Sequence, residues 1–242
     1  MVIMALNDIS KKEIGILKSK VDVFFNSQEA TKLDHEEIAF IVKKIIFFKM
    51  LTGSTSQNLS IFFSRLISDL YCILDCLEKE QNRYYFFNYR SLIENYLRLL
   101  MNVTVEENHV TQDVFLKFKK KFTSEFISSD LILTEDEYSL IRSEYKESCQ
   151  YVHGSDVLND ELIFVFEDFE SNKIDNKKKK IEKIIQILKI FNRLLLFENF
   201  NLINGIFHRK KTSLEYLCGK DYIAQLDFVV NLRGLKKYNK EE

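Results

Sequence analysis

Apolar residues recur every three or four positions along most of the chain, which is the spacing of an amphipathic α-helix. The pattern predicts helices over residues 8–26, 34–51, 59–81, 84–101, 112–127, 134–153 and 176–204, with a last helical region from about 212 to 232. The predicted helix over residues 59–81 has so wide an apolar face that we expect it to lie centrally in a bundle.

Local signals support several of these boundaries. Thr134 with Glu137 three residues later forms a capping box, and Asp34 with Glu37 forms another. Gly53 is placed to end the second predicted helix. Residues 156–176 are the least helical stretch, and the run over 162–166 is compatible with a short strand or with the first turns of a buried helix.

The composition favours an all-α protein. The 242-residue chain has no proline, which is the commonest helix breaker, and only six glycines, which leaves little material for hairpin turns. We find no internal repeat and no low-complexity linker, so we expect one helical domain over residues 1–242: a multi-helix bundle with additional N- and C-terminal helices.

The net charge and the cysteine spacing limit which partners and which cellular compartment we expect. A formal net charge of −1 disfavours a chain that coats nucleic acid by bulk electrostatics, although local patches remain open. The four cysteines show no paired CxxC spacing, which favours a reducing cytoplasm. No apolar run approaches the roughly 20 residues needed to span a bilayer, so we expect no membrane partner.

Two helix faces mix polar and charged residues where a plain core helix would show Leu and Ile. Arg90 and Glu94 lie one turn apart on the fourth predicted helix, in a stripe that also holds Leu97 and Arg98. The sixth predicted helix carries a second stripe, formed by Arg142, Tyr145, Lys146, Cys149 and His153. If these stripes face each other, Arg90, Glu94, Tyr145 and His153 form one half-buried polar cluster that could bind an anion such as phosphate.

A simpler explanation exists for each of these residues. His153 in the last turn of a helix is favoured by the helix dipole, and Gly154 is a common stop residue. Arg90 with Glu94 is then an ordinary ion pair, and Tyr145 packs. The basic runs over residues 117–121, 177–180 and 208–211 are solvated faces or, alternatively, a phosphate track.

Several familiar classes of enzyme are disfavoured. The chain has no glycine-rich phosphate loop, no GxSxG elbow and no HExxH motif. His109 with Glu106 and Glu107 lacks a second spaced group of ligands, so we expect no metal site there. We therefore expect neither a metal nor a cofactor.

A helix with Arg-x-x-x-Glu, followed by a helix that ends in Tyr-x-x-Ser-x-x-x-x-His-Gly-Ser, resembles bacterial HEPN-like helical proteins, including relatives linked to abortive infection. The resemblance covers roughly residues 82–156. It implies a four- or five-helix core at about residues 54–155 with a C-terminal helical extension at 173–232. It also implies frequent dimerisation and, in active members, metal-independent RNA cleavage.

In active members of that superfamily an arginine precedes the histidine by a few residues. The corresponding positions of this chain hold Lys146, Glu147 and Ser148, so the cation comes either from Lys146 or from Arg90 on the neighbouring helix. Lys146 lacks the planar fork with which a guanidinium binds phosphate. In the active interpretation His153 is the general acid or base for a ribose 2′-hydroxyl.

In that interpretation Arg90 or Lys146 stabilises the phosphate charge, Tyr145 or Ser148 positions the phosphate, and Glu94 orients its neighbours. Three functional hypotheses follow. The first is a metal-independent endoribonuclease of a bacterial phage-defence or toxin-type system. The second is a catalytically degenerate interaction subunit that binds a partner protein or RNA, and the third is a regulator whose cluster binds a small nucleotide.

Overall fold

The computed structural model describes residues 12–19, 22, 35–102, 110–123, 131–153, 174 and 176–232. Within these ranges the chain is helical apart from short turns, and no strand is present among them. A helical segment covers residues 12–19, and eight longer helices follow. They are α1 His35–Thr52, α2 Gln57–Glu78, α3 Asn82–Met101, α4 Gln112–Phe122, α5 Glu135–His153, α6 Lys177–Glu198, α7 Phe200–Cys218 and α8 Lys220–Leu232. The predicted all-α, multi-helix architecture is confirmed.

Helices α2 and α3 form an antiparallel hairpin. The predicted helix over 59–81 ends at Glu78 because Glu80 adopts a left-handed conformation with φ of 58° in the connecting turn. A buried polar contact joins the two helices, in which Asn95 Nδ2 of α3 donates to Asp69 Oδ2 of α2 at 2.7 Å.

Helix α3 is the most enclosed element of the bundle, with 12 of its 20 residues buried. Its Tyr96 ring stacks on Phe191 of α6 at 4.5 Å and meets Phe48 of α1 edge-on at 5.9 Å. The buried apolar side chains of all eight helices belong to one continuous core. Enclosure on several sides explains why polar residues of α3, unlike those of a surface helix, must find partners.

The start of α5 follows the sequence prediction. The backbone N–H of Thr134 donates to the Glu137 carboxylate at 3.0 Å, and the Glu137 N–H donates to Thr134 Oγ1 at 3.2 Å. This reciprocal pair is the predicted capping box, and it satisfies two donors that the first turn of a helix leaves unpaired.

The predicted end of the fifth helix is wrong. Helix α4 ends at Phe122 instead of continuing to residue 127. Thr123 Oγ1 donates a hydrogen bond to the Lys119 carbonyl at 2.8 Å, and the Leu133 N–H donates one to the Phe122 carbonyl at 2.9 Å. A carbonyl used by a distant segment is not available for the next helical turn.

The predicted boundaries near the C-terminus are also wrong. Helix α6 ends at Glu198, and α7 continues through the expected break at 204–205. The apolar positions Phe200, Ile203 and Phe207 keep helical spacing across Gly205, so burial outweighs the weak helix propensity of glycine. The real interruptions are a kink at Lys210 and a break at Gly219, whose φ of 90° suits glycine.

Some predictions lie outside the described residues. These are most of the predicted first helix, the Asp34 half of the second capping box, the loop containing Glu106, Glu107 and His109, and the region over 156–173 with its 162–166 run. The proposed division into a core at 54–155 and an extension stays a prediction.

Candidate functional site

The Glu94 carboxylate is the centre of a polar cluster between α3 and α5. Arg90 Nε donates to Glu94 Oε1 at 3.0 Å, and Arg98 Nη2 approaches Glu94 Oε2 at 3.5 Å. Tyr145 Oη donates to Oε1 at 2.8 Å from the facing helix. We call these four residues, Arg90, Glu94, Arg98 and Tyr145, the Glu94 cluster.

Helix geometry places the two arginines on either side of the carboxylate. Arg90, Glu94 and Arg98 are spaced by four residues, so their side chains follow one stripe of α3. The stripe faces Tyr145 because α3 and α5 pack along their lengths. The sequence predicted two polar stripes, and the contact between Glu94 and Tyr145 joins them, although the catalytic role of these residues stays a prediction.

The environment keeps the tyrosine protonated. Burial raises the pKa of Tyr145 well above its ordinary value, and the nearby Glu94 charge raises it further. Its hydroxyl is therefore a hydrogen-bond donor to the carboxylate at neutral pH. Burial alone would disfavour the Arg90 cation, but the hydrogen bond and charge of Glu94 outweigh it and raise the pKa of Arg90.

Cys149, one turn beyond Tyr145, lies at the edge of the cluster, close to the Tyr145 side chain. Burial raises the pKa of its thiol despite the opposing charge of Arg90. A thiol with a raised pKa is mostly protonated at neutral pH and is a poor nucleophile. The cluster therefore offers cations and hydroxyl donors and no activated cysteine.

Arginine side chains are concentrated in this part of the bundle. Arg90 and Arg98 both contact the carboxylate of Glu94, and both arginines have side chains less than a fifth exposed. The Arg142 guanidinium lies over the Phe115 ring at 5.2 Å, and that ring contacts Tyr145 at 5.0 Å. Half-buried guanidinium groups are a recurrent feature of sites that bind phosphate or carboxylate.

One predicted site residue, Lys146, is not among these contacts, and the side chain of another, His153, is not described. Lys146 is exposed on α5, and the contacts of the Glu94 cluster given above do not include it. Arg90, not Lys146, is therefore the cation that faces the α5 stripe. His153 is the last residue of α5, as the sequence predicted, but its side chain lies outside the described residues.

A different face of α5 carries a second group of charges. Lys183 of α6 forms a close ion pair with Glu144, whose side chain is only 5% exposed, and a longer one of 3.4 Å with Glu147. The Glu144 carboxylate also lies close to the buried Tyr89 of α3, and its charge adds to the effect of burial in raising the pKa of that tyrosine. This group links three helices and explains how a buried carboxylate is tolerated.

Lys44 is buried, with only 3% of its surface exposed, and the sequence motifs did not indicate it as a site residue. Its position among the buried Ile41, Phe47 and Phe48 at helical spacing was the available signal, because a lysine on the apolar face of a helix must be buried or must snorkel. It lies in a cleft that shares no residue with the Glu94 cluster.

The three basic runs are largely engaged within the fold. Lys119 pairs with Glu135 at 2.6 Å, Lys121 with Glu198 at 2.8 Å, and Lys177 with Glu80 at 2.8 Å. In the third run Lys210 pairs with Glu13. Partnered lysines on separate helices favour solvated faces over a continuous phosphate track.

Within the described ranges, no group of three or more His, Cys, Asp or Glu side chains is arranged to hold a metal ion. In the same part of the chain, no helix combines the length and the apolar character needed to cross a bilayer. Comparisons of the chain with protein-family models, with curated proteins and with solved structures found no match. The fold and site therefore define an all-α bundle with an arginine-rich polar cluster between two of its helices.

Proposed function

We propose that this chain is a HEPN-like protein of a bacterial phage-defence or toxin-type system, and that it cleaves RNA without a metal ion. The observation that supports the proposal is the pair of half-buried guanidinium groups that contact the Glu94 carboxylate. Helix α5, which brings Tyr145 to the Glu94 carboxylate, ends at His153, the residue that the family resemblance assigns to proton transfer. RNA supplies the phosphate that such a site would bind.

Each residue has a distinct role in this proposal. Arg90 stabilises the charge that develops on the phosphate, while Glu94 holds the guanidinium in place through the 3.0 Å contact. Tyr145 fixes the carboxylate from the facing helix. His153 takes the proton from the ribose 2′-hydroxyl, whose oxygen attacks the adjacent phosphorus as the bond to the 5′-oxygen breaks, and the departing 5′-oxygen takes a proton from water. The products are a 2′,3′-cyclic phosphate and a 5′-hydroxyl end.

One observation favours a second candidate, the interaction subunit. Glu94 already accepts from Arg90, Arg98 and Tyr145, so its carboxylate is satisfied without any ligand. A satisfied network of this kind stabilises and specifies a bundle. In this alternative the protein binds a partner protein or RNA without cleaving it.

The test uses the purified full-length chain and end-labelled RNA in the presence of EDTA. Wild type should generate 2′,3′-cyclic phosphate ends, and His153→Ala and Arg90→Ala should each lower the rate by about 10²–10⁴-fold. Arg90→Lys should recover little activity because an ammonium lacks the bidentate fork. Arg83→Ala is the matched control, since Arg83 is an exposed arginine at the other end of α3 from Arg98.

Expression in bacteria gives a second readout. Wild type should slow growth and degrade total RNA, and His153→Ala should do neither. Intact RNA with wild type, in cells and in vitro, would reject the endoribonuclease and leave the interaction subunit. RNA binding that Arg90→Ala abolishes would then identify RNA as the partner.

The resemblance also leads us to propose a cytoplasmic homodimer. Sedimentation of the full chain at micromolar concentration measures the oligomeric state directly. A monomer under those conditions contradicts the dimer without affecting the roles proposed for Arg90 and His153.

A further inference from the structure

A cleft of about 850 Å³ lies among α1, α5, α6, α7 and α8. It shares no residue with the Glu94 cluster. Its volume is within the range of small-molecule sites, which are typically about 300–1,000 Å³. Five helices contribute walls, so its shape is a product of tertiary packing. Sites of this kind combine apolar walls with a few converging polar groups.

Lys44 supplies a buried ammonium group to the cleft. Its Nζ donates to the Leu217 carbonyl at 3.1 Å, contacts the Cys218 thiol, and lies 4.9 Å from the centre of the Phe40 ring. None of these partners carries a full negative charge at neutral pH, because burial raises the pKa of Cys218 to about 11. Among the described residues, no carboxylate forms an ion pair with Lys44.

A buried cation without a counterion is costly. Burial lowers the pKa of Lys44, which is the expected response of an ammonium removed from water. A ligand that brought a negative charge to this position would relieve that cost. The chemical group that would best complement Lys44 is therefore an anion.

Two further buried polar atoms belong to residues of the same lining and find no partner within the described part of the chain. They are Asn192 Nδ2 on α6 and Tyr222 Oη on α8, from side chains that are 3% and 7% exposed. The other end of the Asn192 amide is engaged, because Tyr96 Oη donates to its Oδ1 at 3.4 Å. Asn192 Nδ2 can only donate a hydrogen bond, and Tyr222 Oη can donate one, so an acceptor would satisfy both groups.

The charges around the cleft agree with this requirement. Its lining includes four basic residues and two acidic ones. One of the acids, Glu137, is already neutralised by Arg193 at 2.6 Å. Lys43 lies 4.5 Å from the centre of the Tyr216 ring, which leaves cationic and aromatic surface together on the wall. Asp221 is the acidic group that an incoming anion must avoid.

We infer that this cleft binds a small organic anion, whose oxyanion group contacts Lys44, Asn192 and Tyr222 and whose body packs against Phe40 and Tyr216. The oxyanion is common to phosphate monoesters and carboxylates, and the cleft has room for a molecule of metabolite size. This inference does not depend on RNA cleavage, because none of its residues belongs to the Glu94 cluster.

The test is calorimetric titration of the full-length chain with phenyl phosphate, benzoate and the neutral benzyl alcohol. We expect at least one anion to bind saturably with a Kd of about 1 mM or below, and benzyl alcohol to bind at least about tenfold more weakly. Tighter binding of phenyl phosphate identifies the phosphate monoester as the preferred class, and tighter binding of benzoate identifies the carboxylate.

Two variants connect binding to the cleft. Lys44→Met should weaken the preferred anion by about 10- to 100-fold, since it removes a charge-assisted hydrogen bond. Lys178→Met is the control and should bind like wild type, because Lys178 is an exposed lysine of α6 outside the lining. Tyr222→Phe should weaken binding several-fold without lowering the melting temperature, because the hydroxyl has no partner among the described residues to lose.

The inference is overturned if neither anion saturates below about 10 mM, or if benzyl alcohol binds as tightly as the anions. Unchanged affinity in Lys44→Met also overturns it. If Lys44→Met fails to fold, Tyr222→Phe decides: unchanged affinity for the preferred anion rejects the assignment of its hydroxyl and with it the proposed site.

Discussion

Asp69 offers a quantitative test of the packing between α2 and α3. Its side chain is buried, and burial raises its pKa from 3.8 to about 6. The hydrogen bonds from Asn95 and Ser91 and the charge of Arg65 oppose that shift, while the charge of Glu94 adds to it. The net effect is that the fold favours the protonated, neutral carboxyl.

The sign of the pH dependence follows from this. A carboxyl whose folded pKa exceeds its unfolded value binds more protons in the folded state, so the benefit of the neutral form is fully present below about pH 3.8. It is lost as pH rises through about 6. The two pKa values correspond to a cost of about 3 kcal/mol at pH 7.5 and about 1 kcal/mol at pH 4.5.

Asp69→Asn removes this titration while keeping an oxygen that can accept from Asn95 Nδ2, whose present contact is 2.7 Å. The variant should therefore gain stability relative to wild type as pH rises, by about 2 kcal/mol between pH 4.5 and 7.5. Urea unfolding followed by far-ultraviolet circular dichroism at both pH values measures the difference. Taking the variant minus wild type cancels the other carboxylates that titrate over the same range.

Asp75→Asn is a matched control, because Asp75 is on the same helix but is paired with Lys79 near the surface. Its stability relative to wild type should change little between the two pH values. An Asp69→Asn difference that stays constant with pH would show that the folded carboxyl has an ordinary pKa. That result would contradict the expectation that burial raises the pKa of Asp69.

Three further substitutions test individual contacts by urea unfolding at neutral pH. Tyr145→Phe should cost about 1–2 kcal/mol, since it deletes the donor that reaches the Glu94 carboxylate at 2.8 Å. Thr134→Ala should cost about 1 kcal/mol by removing the acceptor of the α5 capping box. Lys183→Met should cost about 3 kcal/mol because it leaves Glu144 buried without its cation.

Each of these has a control within the chain. Tyr84→Phe changes an exposed tyrosine of α3, and Lys178→Met an exposed lysine of α6. Thr111→Ala changes an N-cap whose side chain makes no capping hydrogen bond. All three controls should lie within about 0.5 kcal/mol of wild type. Equal losses in a variant and its control would remove the specific contact as the cause.

The features predicted correctly from sequence depend on nearby residues. The capping box of Thr134 and Glu137 forms within one turn, and the spacing of Arg90 and Glu94 places them side by side on any helix. The contact between Glu94 and Tyr145 was half predictable. Two polar stripes indicated a shared cluster, but only the packing of α5 on α3 decides which members meet.

Lys146 and Lys44 show where local patterns fail. The angular position of Lys146 on its helix predicts that it belongs to the polar stripe, yet its side chain is exposed. The width of the helix–helix contact determines which edge of a stripe is enclosed. Lys44 was overlooked since its partners, Leu217 and Cys218, lie more than 170 residues further along the chain.

The all-α bundle could be predicted from the sequence alone, because helical periodicity, the lack of proline and capping signals are local features that each involve only a few neighbouring residues. Tertiary structure decided which charges are buried and what surrounds them. Burial and dielectric environment are properties of surfaces brought together from distant parts of the chain, and they alone distinguish a solvated lysine from the ammonium of Lys44.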